Sequence, residues 1–202
     1  MNQHHWNTVY QSKPTDAVSW YEAYPQRSVD TICAFGLPTN ARIVDVGGGD
    51  SRLVDALLDL GFTNLTVLDI SANALERTKM RLGDRAAMVQ WVITDVTDYQ
   101  PTLPVDVWHD RAAFHFMTTA DAVARYLDAA GSGIRPGGYL TVGTFSTNGP
   151  TQCSGLPVRQ YSPDALAGQF SGHFTKLYCD EADHHTPTGA VQSFTFCQFE
   201  RQ

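Results

Sequence analysis

Val44-Asp45-Val46-Gly47-Gly48-Gly49-Asp50-Ser51 is a β-branched run interrupted by one acid, followed by three consecutive glycines and then by a helical pattern. Glycines at such a strand-to-helix turn let the backbone approach a ligand closely and adopt positive φ, and the helix N-terminus beyond them favours negative charge. The stretch is not a dinucleotide fingerprint, because Arg52 stands where G-x-G-x-x-G needs its third glycine. Nor does it end in the G-K-[ST] of a phosphate-binding loop. What it keeps is an acid in the strand before the glycines, Asp45, placed to order the turn.

The elements around this turn alternate. Strands are expected at residues 42–46, 65–70, 88–94, 105–109 and 139–145, separated by helices at 51–60, 72–82 and 120–131, which is the βαβ pattern of a parallel sheet. Pro136-Gly137-Gly138 reads as a turn before the fifth strand. Residues 146–161 read as a functional loop or lid, and a helix is expected to start near Ser162-Pro163-Asp164. Strands at 174–180 and 191–200 then close the chain as an antiparallel hairpin, with His184 and His185 in its turn. The expectation is therefore an α/β, Rossmann-like fold with seven strands, mostly parallel, ending in an antiparallel hairpin. Residues 1–40, rich in Trp6, Tyr10, Trp20, Tyr21 and Tyr24, are expected to form a helical cap on the domain of residues 41–202.

Two more acids end strands. Asp69, in Leu68-Asp69-Ile70-Ser71, lies 20 residues after Gly49, where a carboxylate accepts hydrogen bonds from both hydroxyls of a ribose; Ser71 is free to cap the next helix. Asp95, in Thr94-Asp95-Val96-Thr97-Asp98, is placed to accept from the exocyclic amine of an adenine. With Val44 to Ser51, Leu68 to Ser71, Ile93 to Asp98 and Arg135-Pro136-Gly137-Gly138-Tyr139 in this order, the chain resembles the class I S-adenosylmethionine (SAM) dependent methyltransferases over residues 41–199. It departs from the common acid-x-G-x-G-x-G form at Ser51, which replaces the third glycine.

The resemblance implies SAM as cofactor, bound by Asp45, Gly47, Gly48, Gly49, Asp69, Ile70, Asp95, Val96, His109 and Trp20. The start of the chain, His5-Trp6-Asn7-Thr8-Val9-Tyr10 with Val18-Ser19-Trp20-Tyr21, looks like the aromatic cap of small members such as thiopurine-type and some lysine methyltransferases, where the cap closes over the cofactor.

Ligands of open α/β sheets bind beyond the carboxyl ends of the strands. The acceptor is therefore expected near Trp108-His109-Asp110-Arg111-Ala112-Ala113-Phe114-His115-Phe116, after the fourth strand. The acid-or-Asn, Pro-Pro, aromatic run of amino-directed nucleic-acid methyltransferases is absent there, and Asp110-Arg111-Ala112-Ala113 replaces the acidic tetrapeptide of protein-lysine methyltransferases. His115 is the expected general base, with Asp110 and Cys153 as further catalytic candidates. A sulfonium is already a charged leaving group, so no metal is expected in the transfer. A soft-metal or metalloid site of Cys153 with His184 and His185 stands as a lesser reading.

Composition bounds the partners. The 202 residues carry a net charge of −7 and only three lysines, so no basic stripe is available for nucleic acid or an anionic membrane. A small-molecule acceptor is expected, with a protein-lysine acceptor and a non-catalytic SAM-binding scaffold as alternatives. The absence of a Tyr-x-x-x-Lys pair and of the third fingerprint glycine argues against a nicotinamide-dependent dehydrogenase. Cys33, Cys153, Cys179 and Cys197 are far apart without a C-x-x-C pair, so neither a zinc site nor a disulfide framework is expected, and the cytoplasm is the expected compartment.

Overall fold

The computed structural model describes residues 2–202. Five strands, β1 (Arg42–Val46), β2 (Asn64–Asp69), β3 (Val89–Ile93), β4 (Val105–Arg111) and β5 (Ile134–Phe145), run parallel. After the two-residue strands β6 (Gln152–Cys153) and β7 (Leu156–Pro157) come β8 (Phe174–His185) and β9 (Val191–Arg201), and β9 pairs antiparallel with both β5 and β8. The sheet order is β3-β2-β1-β4-β5-β9-β8, the seven strands and closing hairpin that the sequence leads one to expect.

The helices are α1 (Gln3–Ser12), α2 (Gln26–Ala34), α3 (Leu53–Asp59), α4 (Ala72–Leu82), α5 (Ala120–Gly133) and α6 (Pro163–Phe170). Their side-chain oxygens start them: Asn2, Ser71, Thr119 and Ser162 cap α1, α4, α5 and α6 by accepting from backbone N–H groups of the first turn. Strand alternation sends side chains to two helical layers. Ile43 and Val107 pack with Val29 and Ile32 of α2 and Leu53 and Leu57 of α3, while Val44, Trp108, Leu140 and Val142 pack with Val123 and Tyr126 of α5 and Phe170 of α6. Asp45 shares the face of Ile43, and His109 that of Val107, whereas Asp110 shares the face of Trp108. That division decides what each acid meets.

Four expectations change. The expected turn at Pro136-Gly137-Gly138 lies inside β5, which absorbs Gly137 at φ 69 and a register shift against β4 between Val105 and Val107. The polar run 181–185 continues β8, because main-chain pairing with β9 overrides weak strand propensity; only residues 186–190 turn, closed by hydrogen bonds between Thr186 and Ala190. His184 and His185 therefore end a strand. The region 146–161 contains the β6–β7 hairpin, whose two central residues, Ser154 at φ 50 and Gly155 at φ 78, have the positive φ of a tight two-residue turn. Finally, Cys179 and Cys197 face each other across β8 and β9 and form a disulfide, so cysteine spacing carries no argument for a reducing compartment. Residues 18 apart in sequence became partners through strand register, which spacing does not reveal. Among the described residues no helix is long and apolar enough to cross a membrane.

Candidate active site

A pocket lies beyond the carboxyl ends of β1, β2 and β4, its space about 610 Å³ when counted out into the open mouth. One wall is the glycine turn and the ends of the first strands, with Val46, Gly47, Leu68, Asp69, Ile70, Thr94 and Val96. The opposite wall is aromatic: Trp6 and Tyr10 from α1, Trp20 from the strap before α2, and Phe116. Their ring centroids lie 5.2 to 6.3 Å apart, mostly edge to face. Arg111, Ala112, Ala113 and Cys153 complete the described lining.

The glycine turn is tight for a stated reason. A Cβ on Gly48 would meet Asp45 Oδ2 at 2.5 Å and Val67 Cγ1 at 2.9 Å, and one on Gly49, at φ 36, would meet Asp69 Oδ2 at 2.7 Å and Tyr10 Oη at 2.9 Å. Asp69 accepts from the backbone of Ser71 at 2.7 Å and from Gly49. Burial, reinforced by the nearby Asp45 and Asp50 carboxylates, nevertheless pushes Asp69 up to about 7. Asp50 is held by Thr15 Oγ1 at 2.7 Å and Arg77 at 3.3 Å. Three carboxylates thus converge under one turn, and the residue that reaches the pocket needs hydroxyl donors or a cation to stay ionised. These features fit a nucleoside with a cationic amino-acid tail.

The cap is sewn to the sheet by polar contacts. Asn7 Oδ1 accepts from Ser71 Oγ at 2.8 Å, Gln3 Nε2 donates to the Ile70 carbonyl at 3.0 Å, and Arg77 donates to the Lys13 carbonyl at 2.8 Å. Arg111 donates to the Trp20 carbonyl at 2.8 Å and lies 3.4 Å from Glu22. Against the cost of burial, His184 and Arg111 hold Glu22 below the usual carboxylate range.

Several expected residues lie elsewhere. Asp95 Oδ1 accepts from Thr97 and caps a short turn, and the pocket wall there is made by its neighbours Thr94 and Val96. Asp45 and His109 are buried behind the turn and bonded to each other. Asp110 faces α5: its carboxylate accepts from the N–H groups of Ala113 at 2.8 Å and Phe114 at 3.2 Å and from Tyr126 Oη at 2.6 Å. Burial pushes Asp110 up to about 6 against those three bonds. It pins the turn that presents Ala112, a non-glycine residue at φ 73, to the pocket.

His115 does not reach the rim. Strand β4 runs two residues further than expected, Ala112 turns the chain inward, and the imidazole sits with no exposure between Phe116 and Phe145. Burial pushes it down to about 3, so it is neutral at physiological pH. Cys153 does line the pocket, and burial pushes its thiol up to about 11. Among the described residues no group of three or more His, Cys, Asp or Glu is placed to hold a metal, so Cys153, His184 and His185 do not assemble one. His184 instead contacts the Ser19 carbonyl at 2.7 Å. Sequence reading missed Tyr10, Trp6 and Phe116 as individual wall residues; the only signal was their aromatic density.

Comparison with known proteins follows the same lines. Residues 44–140 match a family described as a methyltransferase domain. The eEF1A lysine and N-terminal methyltransferase of Mus musculus is 23% identical over 146 residues, covering 68% of this chain and 21% of that protein. The chain thus spans about a fifth of that relative's length. A solved structure from work on the conversion of a disulfide bond into a thioacetal group during echinomycin biosynthesis superposes with a TM-score of 0.79 at 20% identity, covering 100% of this chain and 93% of that one. The Burkholderia thailandensis 1,6-didemethyltoxoflavin-N1-methyltransferase, solved with its substrate and S-adenosylhomocysteine, gives 0.70 at 20% identity, covering 99% and 84%.

The fold is shared with solved methyltransferases, and residues 44–140 match a methyltransferase domain.

Proposed function

We propose that the protein transfers a methyl group from SAM to a small-molecule acceptor whose attacking atom is soft, a sulfur or a ring nitrogen that arrives already deprotonated. The observation that carries this reading is the chemistry of the lining. Its aromatic wall suits an apolar or planar acceptor, and of its titratable groups Asp69, near 7, is taken up by the ribose in this reading, while Tyr10 and Cys153 offer no ready base. Tyr10 is raised well above its ordinary value by burial and by Asp69 and Asp50, and Cys153 is raised to about 11. Both hold their protons at neutral pH.

When bound, SAM supplies a methyl group on a sulfonium. Asp69 is proposed to hold the ribose, Gly47, Ile70 and Val96 to pack on the cofactor, and Trp20 with the other cap aromatics to exclude water and confine the acceptor for in-line attack. Asp110 acts by fixing the Ala112–Ala113 turn, and Cys153 contributes wall surface. The proteins named for thioacetal formation and for N1-methylation of a heteroaromatic ring support a sulfur or ring-nitrogen acceptor by fold likeness alone.

A second reading, a protein-lysine acceptor, draws on the mouse relative's name and on the affinity of aromatic walls for ammonium groups. Formation of S-adenosylhomocysteine from a panel of thiols, heteroaromatic amines and lysine peptides separates the two. Turnover is expected with the small acceptors, with a low-pH limb that follows each acceptor's own pKa, survives in His115→Gln and is insensitive to EDTA. A limb fixed for every acceptor and lost in His115→Gln would restore a histidine base. Turnover with lysine peptides alone would favour the second reading.

A further inference from the structure

Directly behind the glycine turn, three buried side chains from three elements form a single hydrogen-bonded line. Asp45 of β1 and His109 of β4 are register partners on the sheet face that α2 covers. His109 Nδ1 lies 2.7 Å from Asp45 Oδ1, and His109 Nε2 lies 2.8 Å from Ser28 Oγ of α2. Their exposures are 5% for Ser28, 5% for Asp45 and 4% for His109. A carboxylate only accepts, so Nδ1 carries a proton and donates to Asp45, while Nε2 pairs with the Ser28 hydroxyl, which can serve as donor or acceptor. The line runs from the cap helix to the acid.

The other carboxylate oxygen, Asp45 Oδ2, is buried without a hydrogen-bond partner, and it is the atom a Cβ on Gly48 would strike. An unpaired carboxylate oxygen inside a protein is costly unless something positive approaches it. We infer that His109 and Ser28 are positioning residues: they hold the Asp45 carboxylate edge-on beneath the turn, with one oxygen tied back and the other aimed at the underside of Gly48, so that its negative charge acts through the glycine turn on the positive amino-acid end of a cofactor seated on the far side. His109 then serves the cofactor through Asp45 and without touching it. Ser28 extends the same line into the N-terminal cap, so the seating of α2 and the aim of the acid are one arrangement.

The inference rests on SAM-type binding at this turn, and two ligands separate it from that reading. S-adenosylhomocysteine carries the amino-acid tail, whereas 5′-methylthioadenosine has the same nucleoside and a thioether without it. Calorimetric titration of His109→Ala is expected to show roughly tenfold or greater weakening for S-adenosylhomocysteine, the scale of a lost hydrogen bond to a charged group. Affinity for 5′-methylthioadenosine should stay within about twofold. His109→Asn, which keeps an N–H donor toward Asp45, should recover most of the loss. Ser28→Ala, a smaller change that keeps the variant testable if His109→Ala does not fold, should give a weaker loss of the same tail selectivity. Equal weakening for both ligands, or none for either, overturns the positioning role. Wild-type protein that binds neither ligand removes the cofactor reading and this inference with it.

Discussion

Asp69 is the residue proposed to meet the ribose, and its protonation makes a pH-dependent prediction. Its folded-state value, near 7, lies above the usual 3.8 of the unfolded chain, so its ionisation opposes folding: its contribution favours the native state at low pH and is lost as pH rises from about 4 through 7. A ribose has the opposite preference, because its hydroxyls donate to the ionised form. Binding of S-adenosylhomocysteine is therefore expected to release a proton below pH 7 and to weaken by up to about tenfold per pH unit there. Titrations in buffers of different ionisation enthalpy read that proton directly, and Asp69→Asn should abolish it. A proton count of zero at pH 6 in the wild type would show that Asp69 is not the group that meets the ligand. The place of Asp69 on the pocket wall was legible in the sequence from position alone, at the end of a strand and 20 residues past Gly49. His115 was not, because whether a residue after a strand faces the rim depends on where the strand stops and on the φ of Ala112, and neither has a sequence signal.

The turn and its flanking strands form an element in which side chains of successive strands fill the space left by missing Cβ atoms. Gly48 is the critical position, hemmed in by Asp45 and Val67. Gly48→Ala is expected to cost roughly 1–3 kcal/mol of stability, the range for overpacking a filled site, and to remove S-adenosylhomocysteine binding by displacing Asp45. Denaturant melts with a parallel titration check both, and unchanged stability would mean that the turn yields more easily than its contacts imply. Helix α4 shows how closely local rules can work: Ser71 caps it, Gly83 ends it, and the expected range of 72–82 is the observed one. The hairpin of β8 and β9 shows where they fail. Alternation ended at Asp180 in the sequence, yet pairing continued to His185 because the partner strand supplied main-chain bonds to a run with little propensity of its own.

On the scale of the whole molecule, an aromatic cap, a carboxylate-rich turn and the pocket between them lie at one end of the sheet, and the central question is what that end binds. The fold class and the closing antiparallel hairpin followed from repeating patterns; the Cys179–Cys197 disulfide and the Ser28–His109–Asp45 line did not, since both join residues that only strand register and helix docking bring together. The most direct measurement is a calorimetric titration of the wild-type protein at pH 8 with S-adenosylhomocysteine and, separately, with NAD. One equivalent of S-adenosylhomocysteine should bind, weakened by about 1.5–3 kcal/mol in Asp69→Ala, and NAD should give no heat above dilution. Binding of NAD with none of S-adenosylhomocysteine, or affinity unchanged in a folded Asp69→Ala protein, would contradict the account.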